Sequence, residues 1–295
     1  MVRTEKLEAW RLIDGDGDGM EGLSVDHYFG RYLLTAERES WFELRPSLEA
    51  AIATLHREIS PELEAKFHWV ANLPGTRGPQ FETAADSFEV GEDGARFEVH
   101  LGEGPHSGLF LDQRENRREV RKISSERRVL NLFCHTGAFT VAALRGGARE
   151  VVSVDLSKNY LAWLERNLRL NGLAKKSAPN FAMDAFAYLE KARRQGERFG
   201  LILLDPPTFG RGKGKAFSTE RDYGILLEAC LELLEPKGRL LACLNTRKMG
   251  VKEFRDLLKE GVKSRGRKIL QPGGRPADFP GGGSDGAPLK AFWVV

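Results

Sequence analysis

The sequence predicts an α/β protein: an open sheet of about seven strands, mostly parallel, preceded by a small α+β domain. Three observations predict it. Between Val129 and Asp155 a mostly apolar run, Val129 to Phe133, turns at Thr136-Gly137 into apolar positions at helical spacing, which stop at Gly146-Gly147 before a second apolar run, Val151 to Val154, ends in Asp155. That is one strand-helix-strand unit. The same alternation continues to the C-terminal Val295, whereas residues 1–104 carry short strand-like runs separated by tight turns, as hairpins do.

Residues 1–104 read as the small domain and 105–295 as the sheet-forming one. Trp10 to Ile13 reads as a strand, and Leu23 to Tyr28 with Tyr32 to Ala36 as a hairpin turning at Phe29-Gly30. A helix is expected from Trp41 to about Glu58, ended by Ser60-Pro61. Lys66 to Val70 is a further strand, and Ser87 to Val90 pairs with Arg96 to Leu101 around Gly91-Glu92-Asp93-Gly94. Asp14-Gly-Asp16-Gly-Asp18-Gly19 imitates the first half of a calcium loop. The twelfth position, which should be a bidentate Glu, is Val25, so a polar turn is expected there and no metal.

Beyond Gly104, Leu109-Phe110-Leu111 runs into Asp112, expected to be the N-cap of a charged helix from Gln113 to Lys122. After Asp155, Ser157 caps a helix to Leu170 with Asn171-Gly172 as its stop. Asn180 to Met183 is a short strand ending at Asp184, followed by a helix from Ala185 to about Arg194. Leu201 to Leu204 is a buried strand entering Asp205-Pro206-Pro207-Thr208-Phe209. A helix from Arg221 to Leu234, a strand from Arg239 to Leu244, a helix from Val251 to Lys263 and strands at Arg267 to Leu270 and Leu289 to Val295 complete the sheet.

Composition narrows the function classes. Hydrophobic content of 41% and charged content of 29% are those of an ordinary globular chain. No apolar run approaches the roughly 18 residues of a membrane span, and the polar start Met-Val-Arg-Thr-Glu-Lys is unlike a secretory leader, so a cytoplasmic protein is expected. Cys134, Cys230 and Cys243 are odd in number and match no zinc spacing; they read as core residues. Residues 1–104 hold 10 Lys+Arg against 21 Asp+Glu, a balance of −11, and residues 105–295 hold 35 against 21, or +14. The basic part is the sheet-forming part, which points to a polyanionic partner there, unless these are simply solvated helix faces.

In open α/β sheets, ligands lie at the carboxyl ends of the strands. Asp155, Asp184, Asp205 and Asn245 all fall at such ends. A carboxylate at Asp155 accepts both ribose hydroxyls of a nucleoside cofactor. Asp184, with Ala185 and Phe186 beside it, is placed for an adenine amino group, although singly each acid is also a plain N-cap. The turn after the first strand has one glycine, Gly137, and the bulky Phe133, His135 and Phe139 around Thr136. It lacks the G-x-G-x-x-G that lets backbone approach a pyrophosphate. S-adenosylmethionine, which has no phosphate, suits it better than a nicotinamide dinucleotide; a purely structural unit is the third reading.

Pro206 and Pro207 fix φ and remove two amide donors beside Asp205 and Phe209. A planar base stacked on Phe209, with carbonyl oxygens and the carboxylate on its polar edge, suits that geometry; a stiff strand-to-loop turn is the plain alternative. Gly210-Arg-Gly-Lys-Gly-Lys215 is flexible and basic, as a phosphate-contacting loop or a tether would be.

Gly108-Leu-Phe-Leu-Asp-Gln-Arg114, Asn131-Leu-Phe-Cys-His-Thr-Gly137, Val154-Asp-Leu-Ser157, Asp184-Ala185 and Asp205-Pro-Pro-Thr-Phe209 together resemble the motifs, in order, of class I S-adenosylmethionine-dependent methyltransferases, and more closely of the bacterial large-subunit (23S) ribosomal RNA methyltransferases. The resemblance covers residues 104–295, and Asp18 to Tyr28 is similar to the central domain that precedes the catalytic one in that group. It implies a Rossmann-like sheet, S-adenosylmethionine as cofactor and large-subunit ribosomal RNA as partner, with no metal. It implies cofactor contacts at Phe110, Asp112, Arg114, Phe133, His135, Thr136, Gly137, Asp155, Leu156, Asp184, Ala185 and Asp205, and a base held by Asp205, Pro206, Pro207, Phe209 and Asn245. The small domain would help position RNA.

Two chemistries compete within the group. The 5-methylcytosine enzymes need a cysteine nucleophile, which would fall at Asn245. The segment Cys243-Leu-Asn-Thr-Arg-Lys248, with Val154 to Leu173, is similar instead to the guanine-N7 methyltransferase domain. Cys243 keeps the cytosine alternative open, because residues two apart share a strand face and a bulge would turn it inward. A non-catalytic RNA-binding assembly factor and a small-molecule methyltransferase are the other classes weighed.

Overall fold

The computed structural model describes residues 7–76, 80–104, 106–174, 177–210, 217–246, 248–263, 265–281 and 289–295. The chain divides into two compact units, Met1–Leu111 with Pro276–Gly283, and Asp112–Arg275 with Ser284–Val295.

In the first unit a five-stranded sheet has the order β1-β2-β3-β4-β5, from Ala9–Asp14 (β1), Leu23–Tyr28 (β2), Arg31–Ala36 (β3), Lys66–Ala71 (β4) and Gln80–Phe81 (β5). Only β3 and β4 are parallel, joined through helices α1 (Ser40–Glu43) and α2 (Arg45–Ile59). The single expected helix is thus two, because Leu44, at φ −88° and ψ 0°, breaks the helical backbone just before Pro46. Leu23, Val25, Tyr32, Leu34, Ile52 and Trp69 form this unit's core. The second hairpin, β6 (Asp86–Glu92) and β7 (Ala95–Leu101), is longer than expected: Gly91 pairs with Arg96 and Glu92 with Ala95, so only Asp93-Gly94 turns, both at positive φ.

The Asp14–Gly19 segment forms a short 3₁₀ turn. Asp14 accepts hydrogen bonds from Arg11 Nη1 at 2.8 Å and Gly281 N at 2.9 Å, and Asp18 accepts from Asp14 N at 2.7 Å. These carboxylates serve hydrogen bonds within the unit. Arg11 N also donates to Asp278, and its guanidinium lies 4.4 Å from the Phe279 ring centroid, so residues 276–281 are built into this unit from far along the chain.

In the second unit, a 3₁₀ turn at Leu111–Gln113 leads into α3 (Arg114–Ile123). The expected N-cap at Asp112 is not one: Asp112 lies inside the 3₁₀ turn, and Gln113 takes the cap position without a side-chain cap bond. There follow β8 (Arg128–Leu132), α4 (Ala138–Arg145), β9 (Glu150–Asp155), α5 (Lys158–Leu170), β10 (Asn180–Ala182), α6 (Ala185–Arg194), β11 (Phe199–Leu204), a two-residue ribbon β12 (Phe209–Gly210) with β13 (Phe217–Ser218), α7 (Thr219–Leu233), β14 (Leu234–Asn245), α8 (Val251–Lys263), β15 (Ile269–Pro272) and β16 (Leu289–Val294). The sheet order is β10-β9-β8-β11-β14-β16-β15, and within it only β16 runs antiparallel to its neighbours.

Strand order reverses at β8, whose neighbours are β9 and β11, so the crevice outside its carboxyl end is the switch point where such sheets bind ligands. β11 is buried along its whole length, as a strand covered on both faces must be. Among the described residues no helix is long and apolar enough to cross a membrane.

Candidate cofactor and base site

The loop from β8 to α4 is unusually bent. Phe133 (φ 57°), His135 (φ 50°) and Gly137 (φ 81°) alternate in the left-handed region, which costs roughly 1–3 kcal/mol for each non-glycine residue. Specific bonds hold it: Cys134 N donates to Val154 O at 3.1 Å, Gly137 N to Cys134 O at 2.9 Å, and Asn167 Nδ2 from α5 to Thr136 O at 2.9 Å. Gly137 is obligatory there, since a Cβ would stand 2.4 Å from Leu164 Cγ. Behind the loop a buried chain runs from Asn131 Nδ2 to Thr140 Oγ1 at 2.9 Å and on to Ser153 Oγ at 2.8 Å, pinning α4 to β8 and β9.

The bend aims the His135 amide at Asp155. Asp155 Oδ2 accepts His135 N at 3.0 Å and Oδ1 accepts Ser157 N at 2.9 Å, so the carboxylate is fixed at the tip of β9 with further lone pairs to offer. Burial raises its pKa above the ordinary carboxylate value, against the lowering effect of those amides. Beside it Leu156 is 46% exposed, an apolar side chain left open at the rim, and the His135 ring meets Tyr160 edge-on at 4.2 Å.

Asp184 caps α6, accepting Ala187 N at 3.2 Å on Oδ1, and its Oδ2 takes no hydrogen bond among the described residues. Ala185 is buried beneath it. The N-cap reading of Asp184 therefore holds; a cofactor role would use the other oxygen.

Asp205 follows β11 and is partly exposed at the rim. Gln113 Nε2 donates to its Oδ2 at 2.9 Å. Desolvation, then the nearby Asp112 carboxylate, push its pKa up to about 7, against the lowering effect of Gln113. Pro206 is buried and Pro207 exposed. Thr208 Oγ1 donates to the carbonyl of Asn245, tying this loop to the end of β14, where the Asn245 side chain is exposed. Lys290, itself buried, donates Nζ to Thr246 O at 2.6 Å and fixes the next carbonyl.

Cys243 is not turned inward by a bulge. The register of β14 with β16 is unbroken from Leu240 to Asn245; Cys243 is fully buried, with its thiol 4.0 Å from Gln113 Oε1. Burial raises the pKa of the thiol well above its ordinary value, the opposite of what a nucleophile requires.

Asp155, Asp184, Asp205 and Asn245 thus stand at or just beyond the ends of β9, β10, β11 and β14, with Phe133, His135, Thr136 and Gly137 in the loop at the end of β8 between them. Arg114 opens α3 and is 2% exposed. Phe110 belongs to the first unit, 40% exposed, its ring 5.5 Å from that of His106. The backbone of Phe209 starts β12, while its side chain and residues 211–216 lie outside the described residues. Sequence reasoning gave no role to Gln113, Thr208, Asn167 or Lys290. The only signal for Gln113 was its place beside Asp112 in a motif already singled out.

A seven-stranded sheet in this order, with an acid at the tip of its second strand and a non-pyrophosphate turn after its first, defines a class I methyltransferase. A model of the S-adenosylmethionine-dependent methyltransferase family matches residues 79–292, and the chain belongs to that family. It is 34% identical over 272 residues to a ribosomal RNA large subunit methyltransferase of Deinococcus radiodurans, covering 88% of this chain and 65% of that one, and so spans just under two thirds of that relative. Identity is 32% over 300 residues to ribosomal RNA large subunit methyltransferase I of Cronobacter sakazakii, covering 99% of this chain and 76% of that one. Among solved structures, a protein described as a methyltransferase and complexed with SAH superimposes with a TM-score of 0.87 at 30% identity, covering 99% of this chain and 76% of that one. The protein is an S-adenosylmethionine-dependent enzyme.

Proposed function

We infer that this enzyme transfers a methyl group from S-adenosylmethionine to a base of large-subunit ribosomal RNA in the cytoplasm, and that the acceptor is a guanine nitrogen, N7 before others. The observation that carries the inference is the set of polar groups at four strand ends, two for a nucleoside and two for a base. Its support in kind comes from the relatives, which are named for action on large-subunit ribosomal RNA, and from the +14 balance of residues 105–295.

When bound, the cofactor supplies an electrophilic methyl group on a sulfonium. Asp155 holds ribose hydroxyls on the lone pairs its amides leave free, Leu156 and Phe133 flank the adenine, and Asp184 Oδ2 takes its amino group. Asp112 and Arg114, with the backbone of His135, Thr136 and Gly137, complete the cofactor contacts. Asp205 and Asn245 orient the base, with Pro206 and Pro207 keeping the intervening backbone rigid and Phe209 offering a stacking face. Guanine N7 has an available lone pair and needs neither deprotonation nor covalent activation. Positioning alone then supplies much of the barrier reduction, roughly 7–11 kcal/mol at best. The first unit helps to hold the RNA.

Against the 5-methylcytosine alternative stand the asparagine at 245 and the buried, bonded thiol of Cys243. Mass spectrometry of ribosomal RNA from cells lacking the protein is expected to show one large-subunit guanine without its methyl group. Unchanged RNA, or a missing methyl on cytosine C5, defeats the guanine assignment. The Cys243→Ala enzyme is expected to keep its methyl-transfer rate, which a cysteine mechanism does not allow.

A further inference from the structure

We propose that Gln113 is a positioning residue for methyl transfer: its carboxamide, oriented by Asn116, holds one oxygen of Asp205 so that the other faces the acceptor base. This deepens the function inferred above and rests on it.

The orientation of each group follows from its neighbour. An ionised Asp205 only accepts, so the group 2.9 Å from its Oδ2 must be the amide nitrogen of Gln113. Oε1 of Gln113 then points the other way. There Asn116 Nδ2 donates to it at 2.6 Å, and the Cys243 thiol lies 4.0 Å from it as a second, weaker donor. Gln113 is 3% exposed, Asn116 and Cys243 not at all, so water does not compete for these bonds. The strand of contacts thus joins α3, the end of β11 and β14. Gly273 packs closely against Asn116, since a Cβ there would stand 2.4 Å from its Oδ1. Among the described residues Asp205 Oδ1 accepts no hydrogen bond, and Asp205 is the one member of the group that reaches the rim. A carboxylate held by one oxygen and open at the other is arranged to take N–H donors from a base edge. A flipped Gln113 would present its carbonyl to Asp205 and repel it.

The test uses the full chain, S-adenosylmethionine, and large-subunit ribosomal RNA from cells lacking the protein. Gln113→Leu keeps the bulk and removes the donor; Gln113→Glu keeps the acceptor for Asn116 and places a like charge against Asp205. Both are expected to bind SAH within about twofold of wild type and to lose about tenfold to a hundredfold in kcat, the range for one hydrogen bond to a charged group. In Gln113→Leu the acidic limb of the pH–rate profile is expected to move to higher pH, because the amide that favours ionised Asp205 is gone. Should Gln113→Leu fail to fold, Asn116→Ala frees the carboxamide to rotate and is expected to give the same shift in weaker form. Wild-type rate with an unmoved acidic limb overturns the proposal. So does a loss of SAH binding in parallel with rate and no shift of the limb, which marks a purely structural residue. Wild-type protein that binds SAH and methylates no ribosomal RNA instead defeats the function inferred above, and the two failures are separable.

Discussion

Asp205 carries opposing demands at the scale of one residue. With its pKa pushed up to about 7 from an unfolded value near 3.8, the folded protein binds a proton there more tightly than the unfolded chain does. Its contribution to stability is therefore fully present below about pH 4 and is lost as pH rises through about 7. Asp205→Asn is expected to unfold at a higher temperature than wild type at pH 8, by about 2–4 kcal/mol of stability, with the difference shrinking towards pH 5. The same variant is expected to lose methyl transfer. Equal melting temperatures at pH 8 would show that the charge is not strained in the native state. Wild-type methyl transfer is expected to rise with pH through about 7, as Asp205 ionises, and a flat pH–rate profile would contradict its role as an acceptor. Asp155→Ala removes the acceptor of two backbone amides and is expected to weaken S-adenosylmethionine binding at least tenfold by calorimetry. Asp155, Asp184 and Asp205 were legible because each directly follows an apolar run. Gln113 was not, because its partner is 92 residues away in sequence and is met only through the packing of α3.

At the scale of elements, the loop between β8 and α4 is the most demanding piece of backbone in the second unit. Gly137→Ala meets both a positive φ and the Leu164 side chain. It is expected to cost roughly 1–3 kcal/mol and to release the His135 amide from Asp155, so that the melting temperature and cofactor affinity fall together. A variant that melts lower yet binds the cofactor unchanged would separate the loop from the site. The sequence carried the helix starts at Ser157 and Asp184, whose side chains cap as expected because local hydrogen bonds decide them. It misled at Asp112, where a 3₁₀ turn displaced the cap. It started β14 at Arg239, and that is where continuous pairing with β11 begins: beyond the single pair of Phe199 with Leu234 the register jumps to Leu201 with Arg239, so Glu235 to Gly238 bulge out of the ladder.

For the molecule as a whole, fold class and strand count were legible because the alternation of apolar runs and helical spacing is long and unbroken. The Asp278 and Gly281 bonds to Arg11 and Asp14 were not, since they span 267 residues. The charge asymmetry belongs to this scale too. Binding to ribosomal RNA is expected to weaken about tenfold or more between 50 and 200 mM salt, while SAH affinity stays nearly constant. RNA affinity insensitive to salt would remove the polyanion from the account. The return of residues 276–281 to the first unit has a covalent consequence. The chain passes between the two units at three places, so a protease that nicks it once between them is expected to leave the pieces held together in native buffer. They come apart only when denaturant breaks the anchorage of residues 276–281 in the first unit or, for a cut at the third crossing, the pairing of β16 with β14 and β15 in the second.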